Sequence, residues 1–244
     1  MKKKEKQTKL GMQLLEAAAE GKVDVVKRLL KRGANIDYQE EAEYGRTPLL
    51  CAIMNQHPNV SRILVENGAD VNLMGFDGTM TPLHAALIWH DLPTVRILLQ
   101  VGARIERLEN SLTISHLSLA ASLGFKEGVE LLLDWGADIN EFDDKDRSPL
   151  LEAVRKGQVE IVELLIKRGA DLERRFLGGV TALIIAAGKG NSKATELLLF
   201  SGADPDQETN RGNTALDVAE SHGFQEVVSV FRQWELLNSE AAIC

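Results

Sequence analysis

The sequence is poor in cysteine and in aromatic residues. Its 244 residues include two cysteines, Cys51 and Cys244, which are too few for a disulfide framework. We therefore expect a reducing compartment, with the cytoplasm as the main location and the nucleus as a second. Phe, Trp and Tyr make up 5% of the chain, so the core must consist mostly of Leu, Val, Ile and Ala side chains.

Long apolar segments are also missing. No apolar run approaches the roughly 20 residues that a transmembrane helix needs. The lysine-rich start is not followed by the apolar segment and small-residue cleavage site of a secretory signal. We expect neither membrane insertion nor a signal peptide.

Acidic residues outnumber basic ones beyond the first eleven residues. The formal net charge is −8, and because residues 1–11 carry +4, the remainder carries −12. Binding to a phosphate backbone needs a basic face, so nucleic acid is not expected as a partner. Residues 1–11 are predicted to be a lysine-rich disordered tail, with a nuclear address or contact with an anionic membrane as the weaker alternatives.

Patterns that carry chemistry are absent as well. None of the five histidines is paired with cysteine at the spacing of a zinc site. Gly178 and Gly179 lack the Lys-Ser/Thr ending of a phosphate loop and predict a hairpin turn instead. Asp143, Asp144 and Asp146 lack the glycine and glutamate positions of a calcium loop and predict an acidic loop tip. We predict no metal, no cofactor and no enzymatic activity.

Two sets of markers recur along the chain with one period. Gly-Ala pairs are spaced by 33–35 residues, and Ser or Thr residues able to begin a helix are spaced by 33 or 34. The pairs begin at Gly33, Gly68, Gly102, Gly136, Gly169 and Gly202. The helix-start residues are Thr47, Thr81, Ser115, Ser148, Thr181 and Thr214. Two independent markers with the same period indicate an internal repeat.

The repeat that begins at Thr81 shows what one unit contains. The Thr81 hydroxyl can accept a hydrogen bond from a free N–H of the first helical turn, and Pro82 suits the first helical position. Leu83 and Leu87 fall on one helical face. A second helix follows and ends at Gly102, where a left-handed cap is wanted. One unit is therefore two short antiparallel helices, too small to bury its own apolar face.

The stretch Thr81–Ala86 reads TPLHAA, and with a period near 33 it resembles the ankyrin repeat family. The resemblance implies an all-α fold, an ankyrin-repeat α-solenoid of about seven helix–turn–helix units with short β-hairpin loops. The array is expected to span residues 12–238, with units starting near residues 12, 47, 81, 115, 148, 181 and 214 and the first and last as caps. Residues 239–244 are expected to form a C-terminal tail. In this family the histidine at position 84 ties its helix start to the neighbouring hairpin, which implies a structural role.

Two units depart from the family pattern between their helices. Gln56 and His90 stand where the other units have glycine, and we expect these two turns to differ in shape from the rest. The fourth unit is the most divergent, since it begins with Ser115-His116-Leu117-Ser118 in place of Thr-Pro-Leu-His.

The resemblance also implies where a partner binds, namely on a concave surface built from hairpin tips and exposed positions of the first helices. Carried onto this chain, the predicted partner-binding residues are Tyr44, Arg46, Met54, Phe76, Met80, Ile88, Trp89, Leu112, Ile114, Leu123, Arg147, Arg155 and Lys156. Units three and four supply large apolar residues, and unit five supplies basic ones. This composition favours a protein partner with an apolar anchor and acidic flanks. The alternative is that the turns at Gln56 and His90 fold the apolar side chains into a local core.

The function implied is non-catalytic protein–protein interaction, as a scaffold or adaptor acting through the concave surface. Two alternatives remain open: a regulatory inhibitor of an enzyme or transcription factor, and a substrate-recruiting subunit of a ubiquitin ligase. An enzyme is not expected, because the predicted array leaves no length for a catalytic domain. We expect the protein to be monomeric.

Overall fold

A computed structural model describes residues 2–39, 45–75, 78, 80–106, 114–143 and 147–241. The chain divides into two compact units, Met1–His116 and Leu117–Cys244. The described residues form fourteen α-helices, and among them the only β-structure is an isolated antiparallel bridge between Phe176 and Val180. The all-α prediction is therefore confirmed, and the bridge places a hairpin turn at Gly178 and Gly179 as the sequence indicated.

The first unit contains three helix pairs and ends at His116. Its helices are α1 (Lys2–Ala19), α2 (Val23–Lys31), α3 (Pro48–Met54), α4 (Pro58–Glu66), α5 (Pro82–Ile88) and α6 (Leu92–Gln100). Within this unit α1 packs on α3 and α3 on α5, while α2 packs on α4 and α4 on α6. First helices therefore stack on first helices and second helices on second helices.

The second unit repeats this arrangement. Its helices are α7 (His116–Leu123), α8 (Lys126–Asp134), α9 (Pro149–Lys156), α10 (Val159–Lys167), α11 (Ala182–Gly188), α12 (Ser192–Phe200), α13 (Ala215–Ser221) and α14 (Gln225–Ala241). Here α9 packs on α11 and α11 on α13, while α8 packs on α10, α10 on α12 and α12 on α14.

Hydroxyl side chains begin five of the first helices. In each case the side-chain oxygen accepts a hydrogen bond from the backbone N–H three residues further on, at 3.1–3.4 Å. These caps are Thr47, Thr81, Ser148, Thr181 and Thr214. Each bond satisfies a backbone donor that the helix itself leaves free, which explains why the repeat period is read so clearly from Ser and Thr.

The core of both units is aliphatic, as the scarcity of aromatic residues predicted. One leucine two positions after each helix-start residue is almost fully buried in every pair from the second to the sixth. These residues are Leu49, Leu83, Leu117, Leu150 and Leu183. Each buried Leu stabilises the fold by roughly 1.5–3 kcal/mol relative to an exposed one.

The turns at Gln56 and His90 have the same shape as the glycine turns, so the prediction of a different shape is wrong. Gln56 and His90 adopt φ angles of 59° and 52°, close to the 74° of the equivalent Gly157. In each turn the residue that follows donates its backbone N–H to a carbonyl five residues back. The packing of the two helices fixes the shape of the turn, and Gln56 and His90 adopt a strained left-handed backbone conformation there.

The N-terminal helix begins much earlier than predicted. Because α1 starts at Lys2, the prediction of a disordered tail is wrong for residues 2–11. Leu10 is 2% exposed, so the packed face of α1 already begins before residue 12. The residues before it include several lysines, which are good helix formers and continue the helix beyond the core. At the other end α14 continues to Ala241, past the predicted boundary at 238, and residues 242–244 lie outside the described residues.

A ladder of hydrogen bonds joins successive connections between the helix pairs. In the first unit the backbone N–H of Asp70 donates to Asp37 Oδ1 at 2.9 Å, and that of Arg104 to Asn72 Oδ1 at 2.8 Å. In the second unit the N–H of Asp171 donates to Asn140 Oδ1 and that of Asp204 to Glu173 Oε1. Each link therefore joins a side-chain oxygen in one repeat to the main chain of the next.

Candidate functional site

The end of α5 is the most unusual surface of the first unit. Residues 82–87 of this helix are buried, whereas Ile88 is 37% exposed and Trp89, which caps the helix, is 45% exposed. These side chains are therefore not part of a local core, and the alternative prediction of a core role does not hold for them. Exposure of an Ile-Trp pair to water is energetically unfavourable, and such exposed apolar pairs are typical of a docking surface.

The neighbouring helix extends this apolar surface. Met54, the last residue of α3, occupies the position equivalent to Ile88 one repeat earlier, is half-buried, and lies on a helix that packs against α5. We call Met54, Ile88 and Trp89 the apolar end surface. Of the predicted tip residues of this unit, Arg46 is exposed, and Met80 and Ile114 are half-buried. Tyr44, Phe76 and Leu112 lie outside the described residues.

The basic residues predicted for the fifth repeat are partly neutralised by neighbouring carboxylates. Arg147 forms an ion pair with Asp143, and Asp143 Oδ1 also accepts a hydrogen bond from the Arg147 backbone N–H at 3.0 Å. Arg155 forms an ion pair with the buried Glu152, and this hydrogen bond raises the pKa of Arg155 above its usual value. Lys156 is exposed.

These ion pairs reduce the positive charge that the second unit can offer to a partner. Of the three predicted cations, Arg147 and Arg155 hold carboxylates of their own chain, and Lys156 forms no ion pair within the part of the chain that the structure describes. Lys189 caps α11 at the position one repeat after Lys156 and is also exposed. Leu123, the last residue of α7, is 36% exposed. The positive charge that could meet an acidic partner therefore lies mainly on the two lysines.

His84 has the structural role that the sequence implied. Its backbone N–H donates to the Thr81 hydroxyl at 3.1 Å, and its Nε2 lies 3.3 Å from the carbonyl oxygen of Ile114. Burial lowers the pKa of His84 below its usual value. The residue thus ties the start of α5 to the start of the next repeat.

Several exposed apolar residues were not predicted. Val101 and Trp135 are 51% and 44% exposed, and each directly precedes a Gly-Ala pair. The equivalent positions elsewhere hold Arg32, Asn67, Arg168 and Ser201. This contrast between repeats was the signal that could have revealed them. Phe142 is also exposed, with the Arg174 guanidinium 3.5 Å from its ring centre, a cation–π arrangement.

The described residues offer little for metal or membrane binding. They contain no group of three or more His, Cys, Asp and Glu side chains placed to hold a metal ion. Within the same part of the chain, no helix combines the length and the apolarity required to cross a bilayer.

Comparison with known proteins identifies the repeat. A family model described as "Ankyrin repeats (3 copies)" matches residues 14–109 and 107–176, and a single "Ankyrin repeat" model matches residues 178–210. The chain belongs to the ankyrin repeat family. Ankyrin repeat domains are protein-interaction modules, and the ankyrin helix pair accounts for both the period and the caps described above.

Relatives share the repeats but are longer. The chain is 34% identical over 145 residues to the ankyrin repeat and KH domain-containing protein mask-1 of Caenorhabditis elegans, which covers 59% of this chain and 5% of that protein. It is 32% identical over 133 residues to human ankyrin repeat and SOCS box protein 6, covering 52% of this chain and 31% of that one. The chain therefore spans a third or less of these relatives.

Two solved ankyrin domains match nearly the whole chain. The ankyrin repeat domain of human ASB11 is 28% identical with a TM-score of 0.78, covering 89% of this chain and 96% of that domain. The ankyrin repeat domain of Bcl-3, described as a member of the IkappaB protein family, is 29% identical with a TM-score of 0.75, covering 90% and 97%.

Proposed function

We propose that this ankyrin protein is a non-catalytic scaffold or adaptor that binds another protein through the apolar end surface of its first unit. The exposure of Ile88 and Trp89 carries this proposal, because the six preceding residues of α5 are all buried. A partner that inserts an apolar side chain against Met54, Ile88 and Trp89 would remove these groups from water. Tryptophan at the centre of such a contact is a typical energetic anchor.

The second unit supports acidic flanks in the partner. Lys156 and Lys189 are exposed at equivalent positions of two packed helices, α9 and α11, in a protein whose formal net charge is −8. Charges at the edge of an interface mainly accelerate association and set specificity, so these lysines select acidic partners rather than supply most of the affinity.

Location and assembly form part of the same proposal. The chain has only two cysteines, and this scarcity supports a reducing compartment, so we propose the cytoplasm, with access to the nucleus, as its location. We also propose that the protein is a monomer. Sedimentation of the purified chain and imaging of a tagged chain would test these two points separately.

The test of the binding surface compares two matched double variants. Ile88→Ala with Trp89→Ala removes the apolar end surface, and Val101→Ala with Trp135→Ala removes an aliphatic residue and a tryptophan of similar exposure elsewhere. Partners captured by the wild-type chain are identified, and the affinity of the main one is measured with purified proteins. We expect the first variant to lose at least tenfold in affinity and the second to bind as the wild type does.

Two results would overturn the proposal. One is equal binding by the wild type and the Ile88/Trp89 variant. The other is a fall in thermal stability of the Ile88/Trp89 variant that exceeds the fall in the matched control, since this would show that the two side chains stabilise the fold. Turnover of any substrate by the purified chain would contradict the non-catalytic assignment.

The proposed role of the two lysines in binding acidic flanks of the partner is tested with the double variant Lys156→Glu and Lys189→Glu. We expect slower association at low salt and little change in dissociation, because exposed charges act on the encounter step. An unchanged association rate would remove the acidic flanks from the proposal and leave the apolar end surface in place.

A further inference from the structure

Two histidine side chains meet inside the first unit, 32 residues apart in sequence. The imidazole rings of His84 and His116 have centroids 3.9 Å apart with their planes at 34°. Both residues are buried, with exposures of 8% and 3%. His116 occupies the helix position where the second, third and fifth repeats carry proline, so this pair is a feature of one repeat junction and not of the repeat pattern.

One nitrogen of each ring is hydrogen-bonded to a backbone carbonyl oxygen. His116 Nδ1 lies 2.8 Å from the oxygen of Ile105, and His84 Nε2 lies 3.3 Å from the oxygen of Ile114. A carbonyl oxygen can only accept, so these two nitrogens carry the hydrogens and the tautomer of each neutral ring is fixed. The remaining nitrogens, His84 Nδ1 and His116 Nε2, are then acceptors.

Both acceptor nitrogens face the same hydroxyl group. Thr81 Oγ1 lies 2.9 Å from His84 Nδ1 and 3.2 Å from His116 Nε2. A threonine hydroxyl has one hydrogen to donate, so it satisfies one ring, and the other ring needs a second donor. The Thr81 backbone N–H, at 3.5 Å from His84 Nδ1, is that donor and completes a capping box. With the Thr81 hydroxyl donating to His116 Nε2, the neutral cluster is fully hydrogen-bonded.

The cluster has room for at most one further proton. A proton added to His116 Nε2 would donate to Thr81 Oγ1, whose own hydrogen would turn to His84 Nδ1, but it would leave a charge in a buried site. A second proton would direct two N–H groups at one oxygen and place two cationic rings 3.9 Å apart in a buried site. The folded first unit therefore cannot hold both imidazoles in their charged form.

The described residues around the two rings supply no counter-charge. The charge that acts on His116 is that of His84, and within the described residues no carboxylate or cation acts on either ring. Arg104 and Glu106 flank Ile105 on either side, and both are exposed. Burial, followed by the neighbouring His84, lowers the pKa of His116 to about 3.

We infer that Thr81, His84 and His116 form a proton-operated clamp that joins three segments of the first unit: the start of α5, Ile105 after α6, and Ile114 before α7. With both rings neutral the clamp is closed. Acidification opens it, because the unfolded segments accept two protons and the closed clamp accepts at most one. The inference concerns the scaffold itself and stands independently of the proposed binding function.

The first test measures the urea midpoint of unfolding at pH 7.5 and pH 5.0. The variants are His116→Gln, which keeps a side-chain donor without an ionisable ring, and His222→Gln, which changes a solvent-exposed histidine of the second unit. We expect a clear acid-induced shift of the midpoint in the wild type and in His222→Gln, and a smaller shift in His116→Gln. An equal shift in all three proteins overturns the inference.

The second test uses the wild-type chain alone and so does not depend on whether a variant folds. Hydrogen exchange is measured at both pH values and corrected for its intrinsic pH dependence. Peptides that contain Ile105 or Ile114 should lose protection by about tenfold or more at pH 5.0, while peptides from residues 181–190 in the second unit should not. Unchanged protection at Ile105 and Ile114 contradicts the clamp.

Discussion

The carboxylate of Glu152 is held at two points by the guanidinium of Arg155. Arg155 Nη2 donates to Oε2 at 2.6 Å and Nε donates to Oε1 at 3.2 Å, while the Glu152 residue is 1% exposed. The arginine therefore serves its own chain, although its position in the repeat also suits contact with a partner. Any experiment on the charge of this surface has to separate these two roles.

Reversing Arg155 should cost stability as well as charge. In Arg155→Glu, the buried carboxylate of Glu152 loses its hydrogen-bond donors and gains a like charge nearby, so we expect the free energy of unfolding to fall by roughly 1–3 kcal/mol. Urea unfolding followed by circular dichroism measures this. The double variant Glu152→Ile with Arg155→Ala should recover most of the loss, because the equivalent position of the next repeat holds Ile185. A stable Arg155→Glu chain would show that the pair contributes little.

Acid should destabilise the first unit through His116. The pKa of this residue is 6.5 in the unfolded chain and about 3 in the folded one, so the unfolded chain binds more protons between these values. The stabilising contribution is complete above pH 6.5 and is lost as the pH falls towards 3. At pH 5 the loss amounts to about 2 kcal/mol, which the difference in unfolding free energy between wild type and His116→Gln at the two pH values would reveal. A difference that does not change with pH would contradict the shift.

Removing the strain at Gln56 should stabilise the protein. Its φ of 59° is a left-handed conformation that costs a side-chain-bearing residue about 1 kcal/mol, and glycine adopts it freely. Gln56→Gly should raise the free energy of unfolding by about 0.5–1 kcal/mol, since the greater freedom of glycine in the unfolded chain offsets part of the gain.

The reverse exchange is the natural control for Gln56. Gly223 occupies the equivalent turn of the last repeat with φ of 73°, and a side chain there would meet nothing within 4 Å. Gly223→Gln should therefore lower stability by a similar amount through backbone strain alone. If both exchanges leave the thermal midpoint unchanged, the turn is not strained.

A cavity in the core should cost far more than a change at the surface. Leu132 of α8 is 0% exposed, and Leu132→Ala should lower the free energy of unfolding by roughly 2–5 kcal/mol. Leu236 of α14 is 64% exposed, and Leu236→Ala should change it by less than about 0.5 kcal/mol. Equal effects would mean that the aliphatic core does not determine stability in the second unit.

Most of the fold could be read from the sequence because the repeat is local. Thr81, Pro82 and Gly102 each act within a few residues of their own position, so the helix starts and ends follow from residue type. The helical start of the chain could not be read in the same way. Residues 2–9 carry no apolar pattern, and their helix is visible only once Leu10 is seen to be packed.

The candidate site was less predictable because pairing depends on distance in space. Exposure of Ile88 and Trp89 follows from their position at the end of a short helix and could be expected. The ion pairs of Arg147 and Arg155 depend on which rotamers reach Asp143 and Glu152, which the repeat period does not encode. His116 shows the limit most clearly, since its partner His84 belongs to another repeat.

The ladder that joins Asp37 to Asp70 and Asn72 to Arg104 bears on how such a chain changes length. Its donor is always a main-chain N–H, which every residue except proline provides. This is why Arg104 can stand where other repeats have Asp or Asn without breaking the link. To continue this ladder, a repeat beside a duplication or deletion needs to bring only one side-chain oxygen to its new neighbour. The ladder therefore tolerates gain and loss of whole repeats, and it restricts only the acceptor residue.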